Sequence, residues 1–369
     1  MSFLAVPPML ELPLNGSALQ LAHIPVRPPS ICGATCCLPV LSFEEAPDES
    51  HSEIMDALRS TPCPSWRNIE QVYDNWVKGD QFQFFSVQTA HDGFTVTLPS
   101  WVITFWQSVA SFSRDIYWWH EASEMLLRRG CQDAHALLGT IPWHARFPVP
   151  NVDVVDLARL VTEEPINDSL INLLTWFVNC RLEKFPVRLL HSAYPPKIFK
   201  SYQAVRSGQS EQGNHTGWIN EPREQLRKGE IHQIGLCLNV VAGSRMPDSA
   251  DAGNHWVAVV LDGHSQSIWF GDSLGHPPDP ALLEMIHWWL RPSFQKRFTV
   301  RPLRFNKQRG SWSSGDRVIN MIAHHFHPDE FQLLSGTDEA AMCNRIELFL
   351  RIMIEIRAQA CTSLTMAFD

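Results

Sequence analysis

The amino-acid sequence predicts an α+β fold in which a small mixed sheet is flanked by helices and preceded by an accessory, mainly helical region. Apolar residues recur at three- and four-residue steps over several long runs, a spacing that is typical of amphipathic helices. Short runs rich in β-branched and aromatic residues lie between 231 and 274. Because these strand-like runs are followed by helical patterns, the arrangement favours an α+β architecture.

The composition indicates a globular protein. The 369 residues are 44% hydrophobic and 19% charged, and a chain of this length can bury a substantial core. The net charge is −9 and no Lys/Arg-rich run is present, which disfavours nucleic-acid and anionic-membrane partners. No stretch is long enough to span a membrane, and residues 1–16 lack the basic start of a signal peptide. We therefore expect a cytoplasmic or nuclear protein.

The nine cysteines are odd in number and scattered along the chain. This pattern is typical of a reducing compartment and not of a disulfide framework. Cys32, Cys36 and Cys37 form a cluster, but no second pair of ligands follows at zinc-finger spacing. The sequence therefore predicts no metal site.

The first 149 residues divide into two predicted regions. Residues 1–50 are rich in Pro, Ser and Gly and read as an extended or partly ordered lead-in. Residues 51–149 form the accessory region, with a helical pattern from 52 to 76 and an alternating run over 81–98 that predicts a hairpin turning at His91-Asp92-Gly93.

A long helix is predicted between Ser100, its expected N-cap, and Gly130, which ends it. Its apolar stripe needs a covering surface, and we expect the second half of the chain to supply it. Proline-spaced residues 141–150 mark the boundary, so 150–369 is predicted as one domain. The stripe comprises Trp101, Phe105, Trp106, Val109, Phe112, Ile116, Trp119 and Met125.

The second half opens with a helical run over 152–182, and a polar loop at about 203–229 is expected to be mobile. The elements that follow are three strands, a helix, a short strand-like run and two further helices. Their predicted bounds are 231–241, 255–262 and 267–274 for the strands, 281–290 for the helix, 298–305 for the short run, and 316–326 and 338–360 for the last helices.

Polar residues stand at the ends of these elements. His255 begins one strand, Asp272 ends the next, and Ser314 precedes Gly315 at the start of a helix, with Gln308 six residues upstream. A histidine, an acid that orients it and a nucleophile position at a helix N-terminus are the groups that acyl transfer requires. Histidine and aspartate are common at strand ends, so this chemistry is a hypothesis at this point.

The second half resembles the ubiquitin-like-protein protease family, the cysteine peptidases that process and deconjugate SUMO and its relatives. That family carries His-Trp at a strand start, Asp at the end of the next strand, and Gln followed six residues later by Cys-Gly. This chain has His255-Trp256, Asp272 and Gln308-Arg-Gly-Ser-Trp-Ser-Ser314-Gly315. Upstream, Ile166-Asn167-Asp168 is similar to the start of a family helix, with Pro165 in place of its tryptophan. The resemblance covers about 150–369.

The resemblance implies a papain-like cysteine peptidase domain that needs no metal or cofactor and whose partners are SUMO or another ubiquitin-like protein and its conjugates. It also implies that a thiolate at position 314 attacks the carbonyl after a Gly-Gly tail, while His255 acts as base and Asp272 orients it. Gln308 and the backbone N–H of residue 314 would hold the oxyanion. Substrate binding is assigned to Trp256, Asn254 and Asp168, with Trp256 expected to cover the groove for the tail.

The departure from the family is Ser314, where the family has cysteine. A serine hydroxyl does not form the anion that a thiol forms at a helix N-terminus, so this chain is expected to be inactive. Either a cysteine has been replaced by serine to hold a substrate complex intact, or the chain is a degenerate member. The other positions of the motif are retained, which favours the first interpretation. A naturally inactive binding module and a related peptidase acting on another protein remain alternatives.

The histidines 324, 325 and 327 are close in sequence and invite a metal interpretation. No cysteine or carboxylate repeats at ligand spacing beside them. We therefore predict that they are surface or packing residues of the helix.

Overall fold

The computed structural model describes residues 69, 84–88, 95–99, 101–141, 146–147, 152–208, 217–241 and 253–365. The chain forms two compact units, residues 1–144 and 145–369. The lead-in over 1–50 with its cysteine cluster, the helical pattern at 52–76 (apart from residue 69) and the turn at 91–93 lie outside the described residues.

The first unit contains the predicted hairpin strands and the predicted long helix. Strand β1 (Phe84–Gln88) pairs antiparallel with β2 (Thr95–Pro99). Helix α1 (Trp101–Arg128) follows, and Gly130 adopts a φ of 68°, a left-handed conformation that suits glycine at the end of a helix. Helix α2 (Gln132–Leu138) comes next. Within the stripe of α1, Trp106, Ile116 and Trp119 are buried.

The second unit is built on a mixed five-stranded sheet, which confirms the predicted α+β class. Its strands, in their order across the sheet, are β5 (Val187–Leu189), β6 (Gln233–Val240), β7 (His255–Asp262), β8 (Ser267–Gly271) and β9 (Thr299–Pro302). Strands β6, β7 and β8 are antiparallel to their neighbours among these three, β5 runs parallel to β6, and β9 runs parallel to β8.

Helices cover both faces of this sheet. Before it come the short strands β3 (Arg146–Phe147) and β4 (Val152–Asp153), which pair with each other. The helices are α3 (Val154–Leu160), α4 (Asp168–Arg181), α5 (Tyr194–Arg206), α6 (Gly217–Lys228), α7 (Pro280–Leu290), α8 (Ser314–Phe326) and α9 (Asp338–Thr365).

The core separates into two layers because side chains alternate along β7. Val257, Val259 and Leu261 belong to an apolar cluster with residues of α5, α6 and α7. Helix α8 packs on the sheet close to Gly235, where an added Cβ would lie 2.6 Å from Ile322. That glycine lets the helix approach β6 closely, and the approach fixes the position of the N-terminus of α8 beside β7.

Two predictions of local structure are wrong, and two elements were missed. The loop expected at about 203–229 contains the end of α5 and all of α6, whose buried residues 219, 222, 223 and 226 follow a helical spacing within a polar sequence. The run over 152–182 is divided into β4, α3 and α4, because Pro165 lies between the two helices and Asn167 caps the second. Strand β5 and most of α5 were not predicted at all.

No helix in the described ranges combines the length and the apolar character that a membrane crossing requires.

Candidate active site

His255 and Asp272 form a buried pair at the ends of neighbouring strands. His255 is the first residue of β7, and Asp272 directly follows β8. Because these strands are antiparallel, the start of one lies beside the end of the other. His255 Nε2 lies 2.7 Å from Asp272 Oδ1, and the two residues are 5% and 1% exposed. This contact constrains the orientation of the imidazole ring.

The Asp272 carboxylate is itself held by the backbone that follows it. The N–H of Leu274 donates to Asp272 Oδ1 at 2.7 Å, and the N–H of Gly275 donates to the Asp272 carbonyl at 2.8 Å. The tight turn has Gly275 at a φ of 84°. The turn thus holds the Asp272 carboxylate through contacts that do not involve His255.

Ser314 is the first residue of α8 and lies next to the histidine strand. Its Oγ accepts a hydrogen bond from the backbone N–H of Trp256 at 3.4 Å, and the residue is 6% exposed. Within the described part of the chain, no hydrogen bond joins the Ser314 hydroxyl to His255. In the described structure the hydroxyl therefore lies beside β7 without a hydrogen bond to His255.

Gln308 is fixed beside the strand end that carries Asp272. Its Oε1 accepts from the Ser273 hydroxyl at 2.6 Å, and its backbone N–H donates to the Ser273 carbonyl at 2.8 Å. Its Nε2 donates to the Gly310 carbonyl at 2.8 Å. An amide NH₂ has two donors, so one N–H of this side chain is available to a further acceptor.

A cavity of about 310 Å³ opens at Ser314, and all three residues predicted to bind substrate line it. These are Asp168, Asn254 and Trp256. The indole N–H of Trp256 donates to the Ile166 carbonyl at 3.0 Å, which fixes the ring against the opposite wall. His255 and Gln308 are not among the lining residues.

Six lining residues were not assigned to the site from the sequence. They are Pro165, Ile166, Asn167, Asn239, Gly253 and Ser311. Asn239 lies on β6 directly opposite Trp256 in the strand register, and the Ile166 carbonyl accepts the hydrogen bond of the Trp256 indole. Strand register could have identified Asn239 once β6 and β7 were paired. No sequence signal marks a backbone carbonyl such as that of Ile166.

The start of α4 sets the position of this wall. Asn167 caps the helix by accepting a hydrogen bond from the N–H of Leu170 at 3.0 Å. Pro165 and Ile166 precede the cap and belong to no helix or strand, and both line the cavity. The Ile166 carbonyl is therefore available to accept from the Trp256 indole.

The three histidines at the end of α8 make separate contacts. His324 Nδ1 lies 2.8 Å from the Phe331 carbonyl, the His325 ring packs on Trp269, and the His327 ring packs edge-on against Phe185. The prediction that they are surface or packing residues agrees with these contacts.

The contact between α8 and the cavity wall leaves no space for a side chain at Gly315. A Cβ there would lie 2.8 Å from the Cβ of Ile166. We therefore expect Gly315→Ala to lower the free energy of unfolding by about 1–3 kcal/mol, the usual cost of overpacking. Equilibrium unfolding in urea measures this.

Gly217→Ala is the matched control for that substitution, because a Cβ at Gly217, the first residue of α6, has no atom of the described residues within 4 Å. We expect the control to be neutral or slightly stabilised. Equal stability of the two variants would show that Ile166 is not tightly packed against α8.

Comparison with known proteins found neither a matching family model nor a matching curated protein. Among solved structures, the chain is similar to the SUMO protease Ulp1 with its catalytic cysteine oxidised to a sulfinic acid, at 16% identity over 57% of this chain and 88% of that chain, with a TM-score of 0.43. It is also similar to the C-terminal Ulp1 protease domain in complex with Smt3, the yeast ortholog of SUMO, at 17% identity over 55% and 82%, with a TM-score of 0.40.

The Chlamydia trachomatis effector protein Cdu1 bound to ubiquitin is a third such structure, at 13% identity over 53% of this chain and 96% of that chain, with a TM-score of 0.34. Identities and TM-scores of this size carry no functional conclusion. The function of this chain is therefore inferred from the positions of its own residues.

Proposed function

We propose that residues 145–369 form a papain-like cysteine peptidase domain that cleaves after the C-terminal Gly-Gly of SUMO or another ubiquitin-like protein, present here in an inactive form with serine at the nucleophile position. The observation that carries this proposal is the buried pair of His255 and Asp272, 2.7 Å apart, beside a residue at the N-terminus of a buried helix. That residue, Ser314, also lines the cavity.

In the Ser314→Cys form, the thiol at position 314 would attack the carbonyl carbon of the last glycine of the tail and form a thioester with it. His255 would take the thiol proton and later donate it to the leaving amine, while Asp272 holds the ring. The free N–H of Gln308 and the backbone N–H of residue 314 would donate to the oxyanion. Water would then release the tail from the thioester with the same groups.

The Trp256 ring is the part of the cavity wall that a substrate tail would meet. Its indole N–H is bonded to the Ile166 carbonyl, so the ring is held in place beside Ser314. In this proposal the ring covers the tail, and a glycine there has no side chain to collide with it.

With serine at position 314, the same site would bind a tail without cleaving it. The hydroxyl accepts a hydrogen bond from the Trp256 N–H and is not paired to His255 in the described structure. This arrangement also supports the second candidate, a ubiquitin-like-protein binding module that retains the groove. Both candidates predict recognition of the tail, and they differ in the residue that the source gene encodes at position 314.

A binding experiment on the full chain tests the recognition that both candidates share. We expect SUMO or another ubiquitin-like protein to bind measurably, and the same protein lacking its last two glycines to bind at least about tenfold more weakly, a difference of 1.4 kcal/mol in binding free energy. Calorimetric titration of a panel of modifiers in both forms provides the measurement. Absence of binding by every modifier, or equal binding of the truncated forms, would contradict the proposal.

A further inference from the structure

A buried ion pair lies directly behind the nucleophile position. Asp316 is in the first turn of α8, and Arg345 is on α9. Arg345 Nε donates to both carboxylate oxygens, at 3.0 and 2.9 Å, and its Nη2 lies 2.8 Å from Oδ2. Both side chains are 0% exposed. A fully buried pair with this geometry is held by several charge-assisted contacts.

Arg345 also contacts the chain on both sides of the candidate site. Its Nη1 donates to the carbonyls of Thr162 and Glu164, the latter at 2.8 Å, and its guanidinium lies 4.5 Å from the Trp312 ring. Thr162 and Glu164 lead into the cavity wall at Ile166, whereas Trp312 belongs to the turn that precedes the nucleophile helix. One side chain thus holds the helix, the turn and the wall together.

Stability alone does not explain this pair. Apolar residues of similar volume often replace a buried ion pair without loss of stability. The location of Asp316 suggests another role, because a helix N-terminus favours an anion at position 314 and a carboxylate in the same turn opposes it. Burial raises the pKa of the Asp316 carboxyl, and Arg345 counteracts that rise, so the negative charge at this position depends on the arginine.

We propose that Arg345 is a positioning residue for the nucleophile: it cancels the charge of Asp316 so that a thiol at position 314 experiences the N-terminus of α8 without an opposing carboxylate. This inference rests on the proposed peptidase function, but the acidity of the thiol can be measured without any substrate. A failure of the charge relationship is therefore distinguishable from a failure of the peptidase assignment.

Other charged and titratable groups face the start of α8. They stay unchanged in all of the variants compared below, so that differences between variants report the pair alone. These groups are His255 and Asp272 from the sheet, Asp168 from the cavity wall, Arg317 from the same helical turn, and Asp338 beside Gly310.

The experiment measures the rate at which iodoacetamide alkylates position 314 as a function of pH in the full chain carrying Ser314→Cys. Mass spectrometry of the peptide containing position 314 separates it from the other cysteines. Arg345→Gln removes the charge that keeps Asp316 ionised. Where the carboxylate stays charged, the alkylation midpoint should move to higher pH by up to about one unit, and it should not move to lower pH. Asp316→Asn leaves the arginine uncompensated and should move the midpoint to lower pH by a similar amount.

The double variant Asp316→Asn with Arg345→Gln should return to the midpoint of the Ser314→Cys form. Arg345→Lys retains the charge and loses the contacts with the carbonyls, so its midpoint should also stay close to that form. A shift to lower pH in Arg345→Gln, no shift to lower pH in Asp316→Asn, or a shift of about one unit in Arg345→Lys would overturn the proposal, because a purely structural effect can produce each of these patterns.

Breaking a buried pair can unfold a protein, so a variant without uncompensated charge is included. Asp316→Leu with Arg345→Met removes both charges and replaces them with apolar volume. If neither single variant folds, the Asp316→Leu, Arg345→Met variant provides the test. An alkylation midpoint close to that of the Ser314→Cys form supports charge cancellation, and a shift of the midpoint by about one pH unit contradicts it.

Discussion

Ser314→Cys is expected to convert this chain into a peptidase that hydrolyses conjugates of a ubiquitin-like protein. A thiol at the N-terminus of α8 can ionise near neutral pH, whereas the serine hydroxyl cannot. We expect the hydrolysis rate to rise by about 10³-fold or more, as when a triad residue is restored. Fluorogenic substrates made from SUMO, ubiquitin and related modifiers, each ending in Gly-Gly, provide the measurement.

Ser313→Cys is the matched control for this gain of activity. Ser313 is adjacent and 0% exposed, but its hydroxyl accepts from Arg317 Nε and it is not among the residues that line the cavity. A thiol at this position should leave the chain inactive. Hydrolysis by both variants would indicate a contaminating activity, and hydrolysis by neither would argue for a binding module.

Asp272→Asn, introduced together with Ser314→Cys, is expected to lower kcat by about 10³- to 10⁴-fold with little change in KM. An asparagine amide can donate to His255, which would hold the imidazole in the tautomer that cannot accept the thiol proton. The carboxylate does not line the cavity, so binding of the tail should persist. Steady-state kinetics on the substrate selected above separates kcat from KM.

Asp279→Asn makes the same chemical change outside the candidate site. Asp279 caps α7 by accepting from the N–H of Ala281, and asparagine caps helices about as well. Its kinetics should match those of the Ser314→Cys form. A loss of less than tenfold for Asp272→Asn would remove Asp272 from the proposed mechanism.

Strong periodicity explains why much of the fold could be predicted. The stripe of α1 and the apolar runs of β6, β7 and β8 are local patterns, and each corresponds to an element of the structure. Helix α6 could not be predicted in this way, because its sequence is polar and Pro222 lies inside it. Its burial depends on contacts with the sheet that the local sequence does not display.

The candidate site likewise has one part that the sequence predicted and another that it did not. Fixed spacing within a family motif predicted that His255 and Asp272 would be neighbours, and that Ser314 would lie at a helix start. The contact between Asp316 and Arg345 joins residues of two different helices, 29 positions apart, and only the tertiary fold brings them together. Charged residues on helices are usually solvated, so the sequence does not predict that either of them is buried.

Covalent capture tests the central claim most directly. SUMO, ubiquitin and related modifiers that carry an electrophile in place of the C-terminal carboxylate would be incubated with the Ser314→Cys form, and the modified peptide identified by mass spectrometry. The partly exposed Cys131 and Cys180 serve as internal competitors. We predict one modifier adduct on position 314, abolished by His255→Ala. An adduct on another cysteine, or no adduct with any modifier, would contradict the assignment of this site.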